Sequence, residues 1–458
     1  MIKRRKSPAV LTRLMPMLPK SGLFAVLTMA AATIHAHGPA SAGPSPERHI
    51  QFPDTAQYQT LVLDLHTHSV FSDGHVWPTI RVSEALRDGL DGLAITEHLE
   101  FQPHLADIPH PDRNRAYEEA LRAAQGHPLE VIPGVEITRI GAPGHINAVF
   151  VKDANQLVQQ RSEETPLPSA QFETEAEAIA FSVENSSLFK GAHEVEVDGK
   201  TLWRPFPDPG TYEAIMNFGL AIRLNPMEVL RMANRQGAFV FWNHPDFVSE
   251  DVKLNDFHRS ATRSGLLHGV EIANGDNYYE HAHRLAMEHD LALIGVSDVH
   301  ELIEWDYRPE AEHSPGHRPV TLVLAEGPGQ EEMKKALFAK RTVVWWKNTL
   351  IGREPHIDAL LSASLSIESV GVNNWRNTVI RIRNHSDATF KLRQTSQVFL
   401  ASQTALIEIE PNGVTELTAN ISDMDGPLAL EFEVLNALVA PHTPASLTLT
   451  YNTDLEKE

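Results

Sequence analysis

The chain has 458 residues, of which 42% are hydrophobic and 22% charged. Such a chain can bury a large core in two or three domains, which excludes a wholly disordered chain, a collagen-like repeat and an integral membrane bundle. The net charge of −21 disfavours binding to nucleic acid, which is a polyanion. There are 24 histidines and no cysteine, so disulfides and a cysteine nucleophile are excluded, and a metal site must use histidine and carboxylate ligands.

The first 42 residues are typical of an export signal. A basic stretch, Lys3–Lys6, is followed by an apolar run, Gly22–Ala32, and by Ala40-Ser41-Ala42, which fits a signal-peptidase site. We therefore predict a periplasmic or secreted mature protein. The apolar run is short for a bilayer span, so a retained membrane anchor is the alternative, and the paired arginines leave twin-arginine export open. Without the six positive charges of this segment the net charge becomes −27.

Short apolar runs then alternate with helical patterns over about 300 residues, which is typical of βα units. The predicted strands are Leu61–Leu65, Gly92–Ile95, Val131–Val135, His145–Val151, Ala238–Trp242, Gly269–Ala273, Leu291–Val296 and Val320–Leu324. The predicted helices are Pro78–Asp88, Arg113–Ala124, Pro226–Arg235, Tyr279–Glu288 and Glu331–Ala339. The stretch from about 153 to 225 breaks the alternation, and its prolines and hairpin-like Val195–Lys200 indicate an insertion.

From about residue 360 the pattern changes to strand-like runs separated by turn signals such as Asn412-Gly413. These runs are Thr378–Arg383, Val398–Leu400, Leu406–Ile409, Leu428–Val434 and Ser446–Tyr451. No helical pattern interrupts them, and they carry no group of catalytic residue types. Residues 360–458 are therefore predicted to form a small all-β, sandwich-like domain.

Metal-ligating residue types gather where the predicted strands of the first domain end. They are His66, His68, Asp73, His98, Glu136, His145 at the start of its strand, His244, Asp298 and His300. Residues two apart on a strand face the same way, so an H-x-H or D-x-H pair can meet one ligand. One such motif alone is usually a turn or an exposed pair. The strand ends of a βα barrel converge on one face, however, and so many imidazoles and carboxylates would be costly to bury there without metal ions.

The motifs resemble those of the polymerase and histidinol phosphatase (PHP) domain superfamily and occur in the same order. The matching segments are Asp64–Gly74, Ile95–His98, Pro133–Glu136, Gly144–Ile146, Asn243–Pro245 and Ser297–His300. The resemblance implies an α/β fold: a distorted (βα)7 TIM-like barrel over about residues 55–350, with a metal cluster that is commonly trinuclear. Glu97 stands where the family often has aspartate, a difference that removes no ligand.

The resemblance also implies how nine side chains share the metals. The first metal would be held by His66, His68, Glu136 and Asp298, the second by the bridging Glu136 with His145 and His244, and the third by Asp73, His98 and His300. Of these residues, Glu136, Asp298 and His300 are expected to act directly in catalysis.

Such a cluster favours an anionic substrate. Three divalent ions would bring six positive charges against three carboxylates, so the site would be positive inside a negative protein. A phosphate ester can bridge the metals, and a metal-bridging hydroxide, its pKa lowered by the ions, is the expected nucleophile. Histidine and carboxylate ligands suit Mn, Zn or Fe, and two or three such ions are expected.

Arg318 is the residue outside the ligand set to which substrate binding is assigned. It precedes the predicted strand Val320–Leu324, and its guanidinium group could clamp a phosphate oxygen. The alternative is an exposed loop arginine with no role in the site.

Three functions fit these features to different degrees. The prediction is an exported, metal-dependent hydrolase of small phosphate monoesters or diesters, without stable membrane insertion after processing. A polymerase-associated nuclease disagrees with the export signal and with the mature charge of −27, so no nucleic-acid partner is expected. A non-enzymatic periplasmic module that binds a metal or ligand is the other alternative, and the full ligand set argues against it.

Overall fold

The computed structural model describes residues 50–104, 108, 112–139, 143–158, 172–185, 192–197, 199–205, 224–245, 254–307, 316–372, 378–396, 398–400, 406–420 and 428–451. The predicted export segment lies outside these residues, and so do parts of the predicted insertion. Within the described ranges, no helix has both the length and the apolar composition needed to cross a membrane.

The strands of the described residues are β1 Gln59–Asp64, β2 Gly92–Ile95, β3 Glu130–Ile137, β4 Ile146–Val149, β5 Ala192–Val197, β6 Lys200–Pro205, β7 Phe239–Trp242, β8 Gly269–Asn274, β9 Asn277–Tyr278, β10 Ala292–Val296, β11 Val320–Ala325, β12 Thr342–Trp346, β13 Thr349–Gly352, β14 Leu365–Val372, β15 Thr378–Asn384, β16 Phe390–Gln394, β17 Phe399–Leu400, β18 Leu406–Ile409, β19 Val414–Asn420, β20 Leu428–Ala440 and β21 Thr443–Tyr451. The helices are α1 Pro78–Asp88, α2 Arg115–Ala123, α3 Glu175–Asn185, α4 Pro226–Arg235, α5 Asp256–Arg263, α6 Glu280–Glu288, α7 Ile303–Asp306, α8 Gln330–Phe338 and α9 Glu354–Ser364, with a 3-10 turn at Ala154–Leu157.

The strands predicted for the first domain lie side by side in the order β10-β8-β7-β4-β3-β2-β1-β11. Most run parallel, but β4 is antiparallel to both β3 and β7, and β11 is antiparallel to β1. The prediction of uniformly repeated βα units, which would place all strands parallel, is therefore wrong for β4 and β11. The reversal of β4 matters for the site, because its amino end lies at the same edge of the sheet as the carboxyl ends of its neighbours.

The two ends of this strand series contact each other. After β10, Val299 forms a parallel bridge with Thr67, which follows β1. Thr321 on β11 donates its hydroxyl to the carbonyl of Gly295 on β10 (2.8 Å) and accepts the Gly295 N–H (3.0 Å). A Cβ at Gly295 would lie 2.3 Å from a methyl carbon of Val344 on β12, so glycine is required at this close approach.

Successive residues of the central strands point to opposite faces of the sheet, and both faces are buried. Leu63 and Leu65 pack with Phe241 and Ile294 in one apolar cluster, whereas Val62 faces a second cluster under α1 and α2. A fully buried leucine stabilises the fold by roughly 1.5–3 kcal/mol relative to an exposed one. Both faces of the sheet are covered, which explains why these strands read as continuous apolar runs rather than alternating ones.

The all-β C-terminal region is a sandwich that shares its core with the first domain. One sheet has the order β14-β15-β19-β17, and the other contains β21, β20, β16 and β18. The second sheet continues directly into the first domain, because β20 pairs in parallel with β13 at Leu350–Ala437 and Ile351–Leu438. The apolar cluster around Val62 accordingly includes Phe390 and Phe432 of the sandwich.

A buried amide joins the two regions. Asn436 on β20 donates to the carbonyls of Asn348 and Thr389 (2.7 Å each) and accepts from the N–H of Lys391 (2.9 Å). Asn348 lies in the tight turn between β12 and β13, where its φ is 56°. These bonds fix the edge of the first domain to the sandwich.

Several elements were not predicted from the sequence. They include α5, α7, α9, β9, β12, β13, β14, β16 and β19. Their apolar runs are short, and runs of that length do not distinguish strand from buried helix by periodicity. In the insertion, the predicted hairpin is present as β5 and β6, joined at Gly199 with a φ of 74°.

The substitution Asn436→Ala tests the junction between the two regions. It removes the partner of the Lys391 N–H and of the Asn348 carbonyl, both of which are partly buried, so we expect the free energy of unfolding to fall by about 1–3 kcal/mol. Equilibrium urea unfolding followed by circular dichroism measures this change, and the exposed Asn277→Ala is the matched control. A single shifted transition is expected; two transitions of which only one moves would contradict a shared core.

Candidate metal centre

The structure brings all nine expected ligand residues together at one edge of the sheet. Their donor atoms form three interlocking groups that could each hold an ion: His66, His68 and Asp298; His98, Glu136 and His145; and His68, Asp73, His98 and His300. His244 joins them through its Nε2, which lies 3.5 Å from Glu136 Oε1.

Local backbone geometry explains this convergence. His145 precedes β4, and because β4 runs antiparallel its start reaches the same edge as the ends of the parallel strands. His244 and Asp298 have φ values of 25° and 51°, in the left-handed region that is unfavourable for residues with a side chain. Such strain persists where surrounding contacts enforce it, and it concentrates at functional sites.

The first group is the most deeply buried. His66 Nε2 and His68 Nε2 lie 3.0 Å apart, and each is 3.1 Å from Asp298 Oδ1. Glu136 completes the group, with Oε1 3.5 Å from His66 Nε2 and Oε2 3.5 Å from His68 Nε2. Five ligand atoms from four side chains therefore surround one position, where their lone pairs would repel one another without a cation.

Glu136 also faces the second group. Its Oε1 lies 3.0 Å from His145 Nδ1 and 3.5 Å from His244 Nε2, and it accepts a hydrogen bond from Asn243 Nδ2 (2.7 Å). One carboxylate thus contacts imidazoles of both groups, as expected for a bridging ligand.

The third group is centred on Asp73. His300 Nε2 lies 3.1 Å from Asp73 Oδ1, and His98 Nε2 lies 3.3 Å from Asp73 Oδ2. The three groups are closer to one another than the expected ligand assignment implies. His98 Nδ1 lies 2.6 Å from Glu136 Oε2, and the His68 ring stacks on the His300 ring with centroids 4.3 Å apart.

The hydrogen bonds around the cluster turn the lone pairs of neutral imidazoles toward carboxylates. Bound cations would make this arrangement favourable. His300 Nδ1 donates to the Asp298 carbonyl (2.8 Å), so a neutral His300 points its Nε2 lone pair at the Asp73 carboxylate. His66 Nδ1 donates to Glu271 Oε1 (2.7 Å), so its Nε2 lone pair likewise faces Asp298. Orientation of a ligating histidine by a carboxylate or carbonyl on its far nitrogen is usual at metal sites.

Unsatisfied oxygens point to the same conclusion. Among the described residues, Asp73 Oδ1 and Glu136 Oε2 are buried without a hydrogen-bond partner, although each lies close to imidazole nitrogen. A buried carboxylate oxygen left unpaired costs free energy. The donor set of imidazole and carboxylate suits divalent Mn, Fe or Zn.

The electrostatic field of the site is negative around some of its histidines. Burial lowers the pKa of His66, but Asp298, Glu271 and Glu136 outweigh it and raise the pKa well above its usual value. Burial and the neighbouring His300 and His98 instead lower the pKa of His68 to about 3, so its ring stays neutral as a ligand must. Burial raises the pKa of Asp298, but the adjacent His66 and His68 lower it well below its usual range.

Several residues that organise the ligands were missed by the sequence analysis. Glu271, which is fully buried, binds His66 through Oε1 and accepts the His244 N–H (2.7 Å) and Asn274 Nδ2 (2.9 Å) through Oε2. Asn274 in turn donates to Asp298 Oδ2 (3.0 Å). The signal was present: an acid in the interior of an apolar strand is rarely tolerated unless it is paired.

A buried arginine supports the backbone of the site. Arg81 on α1 donates to the carbonyls of His68 (2.8 Å) and Val299 (3.2 Å). Glu97, which holds the loop before Asp73, accepts from the Ser69 N–H (3.1 Å) and from the hydroxyls of Ser69 and Ser72. These contacts fix the segments that carry the ligands rather than the ligands themselves.

Arg318 does not lie in the site, and the prediction that it binds substrate is wrong. It has no solvent exposure, and its guanidinium donates to Asp88 Oδ2 (2.7 and 2.9 Å) and Asp64 Oδ2 (3.2 Å). Asp64 also accepts the Ser297 hydroxyl (2.6 Å). Arg318 therefore neutralises two buried acids beneath the cluster, a role that its position in a loop before β11 did not reveal.

Removal of that charge tests the corrected role. Arg318→Met leaves Asp64 buried without a counter-ion and leaves Asp88 with Arg87 alone (3.3 Å), so we expect the free energy of unfolding to fall by about 3–5 kcal/mol. The exposed Arg231→Met should change it by less than about 0.5 kcal/mol. Urea unfolding of both variants measures the difference. Unchanged stability of Arg318→Met, with only substrate binding weakened, would restore the substrate-binding assignment.

Comparison with known proteins places these features in a family. A PHP domain model matches residues 64–191, and an Ig-like domain model matches residues 365–450. The crystal structure of a two-domain protein of Bacteroides vulgatus, containing a predicted PHP-like metal-dependent phosphoesterase, is 30% identical and matches with a TM-score of 0.67 over 89% of this chain and 100% of that one.

Other solved structures match the chain with lower identity. A candidate metal-dependent phosphoesterase of Bifidobacterium adolescentis is 19% identical over 61% of this chain and 96% of its own (TM-score 0.32). Endonuclease Q of Pyrococcus furiosus is 15% identical over 69% of this chain and 62% of its own (TM-score 0.34). No curated protein matches the sequence. Because the similarity to the Bacteroides vulgatus protein extends along its whole length, the chain belongs to the PHP domain family.

Proposed function

We propose that this protein is an exported, metal-dependent hydrolase of small phosphate esters. The observation that carries the proposal is the cluster itself, in which carboxylates and imidazoles face one another at 2.6–3.5 Å around shared positions. The family membership supports hydrolysis, and the Bacteroides vulgatus protein contains a predicted PHP-like metal-dependent phosphoesterase.

The cluster would hold two or three divalent ions of Mn, Zn or Fe. His66, His68 and Asp298 would hold one ion, His145 and His244 a second, and Asp73, His98 and His300 a third, with Glu136 between the first two. When bound, such ions supply an activated water and neutralise negative charge on phosphoryl oxygens. The protein's own residues keep the ligands deprotonated toward the ions by holding their remaining protons at Glu271 and at the Asp298 carbonyl.

Burial defines the side from which a substrate would approach. The side chains of His66 and His68 are fully buried and Glu136 is 1% exposed, whereas those of His145, Asp73 and His300 are 27%, 29% and 35% exposed. A phosphate group would therefore meet the second and third groups first. Asp298 and Glu136, which touch more than one group, would keep the ions at fixed separation while His300 contacts the substrate side.

The substrate is proposed to be a small ester, either a monoester or a diester. Metal ions make the site locally positive, which attracts a compact anion. The remaining surface carries a large negative excess, which opposes a long polyanion, so nucleic acid is not proposed as a partner. Export to the periplasm or medium, from the signal-like first 42 residues, remains part of the proposal.

The proposal also includes a closed, distorted barrel for residues 55–350, followed by the sandwich at 360–458. Its support is the contact between the first and last strands of the series, through Thr67 and Val299 and through Gly295 and Thr321. Closure would converge the strand ends on one face, as the location of the cluster requires.

Hydrolysis of model esters tests the proposal. Mn-loaded protein without residues 1–42 should release nitrophenol from nitrophenyl phosphate, from bis(nitrophenyl) phosphate, or from both. Asp298→Asn removes a carboxylate that contacts two groups, so kcat/KM should fall by more than about 100-fold. This exceeds the loss usual for a residue that only hydrogen-bonds to a metal ligand. The exposed Asp256→Asn is the matched control and should retain activity. No release from either ester by protein shown to contain metal would contradict the proposal, as would full activity of Asp298→Asn.

A further inference from the structure

His258 on α5 is a buried histidine outside the ligand set. Its side chain is 1% exposed and lies flat against Trp242, with ring centroids 3.8 Å apart and planes at 23°. Its Nε2 donates to the carbonyl of Pro143 (2.9 Å). The α5 cap fixes this placement, because Asn255 accepts the His258 N–H (3.0 Å) and holds the residue in the first turn.

The two contacts of His258 fall on the segments that carry His145 and His244. Pro143 is two residues before His145, and Trp242 is two residues before His244. The segments are themselves paired: Trp242 is opposite Ile146 in the β4–β7 ladder, and the Asn243 N–H donates to the His145 carbonyl (3.1 Å). His258 therefore contacts both of the chain segments that bring an imidazole, His145 or His244, to Glu136.

The chemistry of the ring suits positioning rather than ligation. Burial lowers the pKa of His258 to about 4, so the ring is neutral at pH 7 and its proton resides on the Nε2 that donates to Pro143. Its Nδ1 is buried and has no hydrogen-bond partner among the described residues. The ring therefore packs against Trp242 and makes one side-chain hydrogen bond, to the Pro143 carbonyl.

We infer that His258 is a positioning residue for the metal held by Glu136, His145 and His244, and that it sets the affinity of that metal separately from the others. The inference rests on the proposed metal centre. The side chain would act by fixing the chain direction at Pro143 and Trp242, because displacement of either segment moves an imidazole relative to Glu136. The first and third groups have no member on the segments that His258 contacts.

Metal binding to variants at this position tests the inference. His258→Phe keeps a ring against Trp242 but leaves the Pro143 carbonyl without its donor, so one equivalent of Mn²⁺ should bind about 10–100-fold more weakly while the remaining equivalents are unchanged. His258→Gln places an amide N–H where Nε2 lies and should restore most of the affinity. Equilibrium dialysis against Mn²⁺ at pH 7, with metal content measured by mass spectrometry, gives each occupancy.

His268→Phe is the matched control. His268 is also largely buried and stacked on an aromatic ring, Phe239, and it also bonds backbone groups, at Val240 and Gly265. It lies at the opposite end of the strands, before β8, so its loss should lower stability without changing metal occupancy. An equal loss of Mn²⁺ in His268→Phe and His258→Phe would overturn the inference.

Other outcomes are also decisive. Full occupancy in folded His258→Phe overturns the role of His258 alone, whereas wild-type protein that binds no Mn²⁺ overturns the metal centre itself. If His258→Phe does not fold, His258→Gln and His258→Asn decide, because the shorter amide of asparagine cannot reach Pro143. Weaker binding in His258→Asn than in His258→Gln supports the inference, and equal binding contradicts it.

Discussion

The site depends on the alignment of two chain segments, one after β1 and one after β10. The Asp298 N–H donates to the His66 carbonyl (3.0 Å), and the His68 N–H donates to the Val299 carbonyl (3.1 Å). These bonds place an H-x-H motif beside a D-x-H motif, so that side chains from both reach one position. Because a strand alternates its side chains between faces, a shift of one residue in this register would direct the ligands away from each other.

Buried charges beneath these segments keep the register. Arg318 neutralises Asp64 and Asp88, Asp64 binds Ser297, and Arg81 binds the backbone of both segments. Buried ion pairs of this kind stabilise little on their own, because desolvation offsets much of their attraction, but removal of one partner is costly. Their contribution here is geometric: the directed hydrogen bonds of arginine and aspartate fix where each strand ends.

The cluster concentrates buried ionisable groups that bound cations would satisfy. Carboxylates and imidazole lone pairs are held at short distances with little solvent, and two carboxylate oxygens are left without hydrogen bonds among the described residues. Binding of ions that require these ligands in deprotonated form would supply free energy to the folded state and would be linked to proton release. Metal content and stability should therefore be measured together in this protein.

The sequence predicted those parts of the molecule whose signal is residue type at a strand end. The H-x-H pair, Glu136 and the D-x-H pair could be found in this way, because the carboxyl ends of parallel strands share an edge. His145 was found at a strand start, although the antiparallel direction of β4 that brings it to the same edge was not predicted. Glu271 and His258 act through a backbone N–H or carbonyl group of a distant segment, and Arg318 acts through Asp64, so their roles depended on tertiary contacts that a single sequence does not display.

The most direct test of this account is anomalous X-ray diffraction from crystals of protein prepared with Mn²⁺, recorded on both sides of the metal's absorption edge. If the cluster holds metal ions, anomalous density will lie within it, in contact with His66, Glu136 and Asp298 and extending to the positions near His145 and Asp73. Anomalous density located only outside these residues, or none in crystals of protein shown to contain bound metal, would contradict this account.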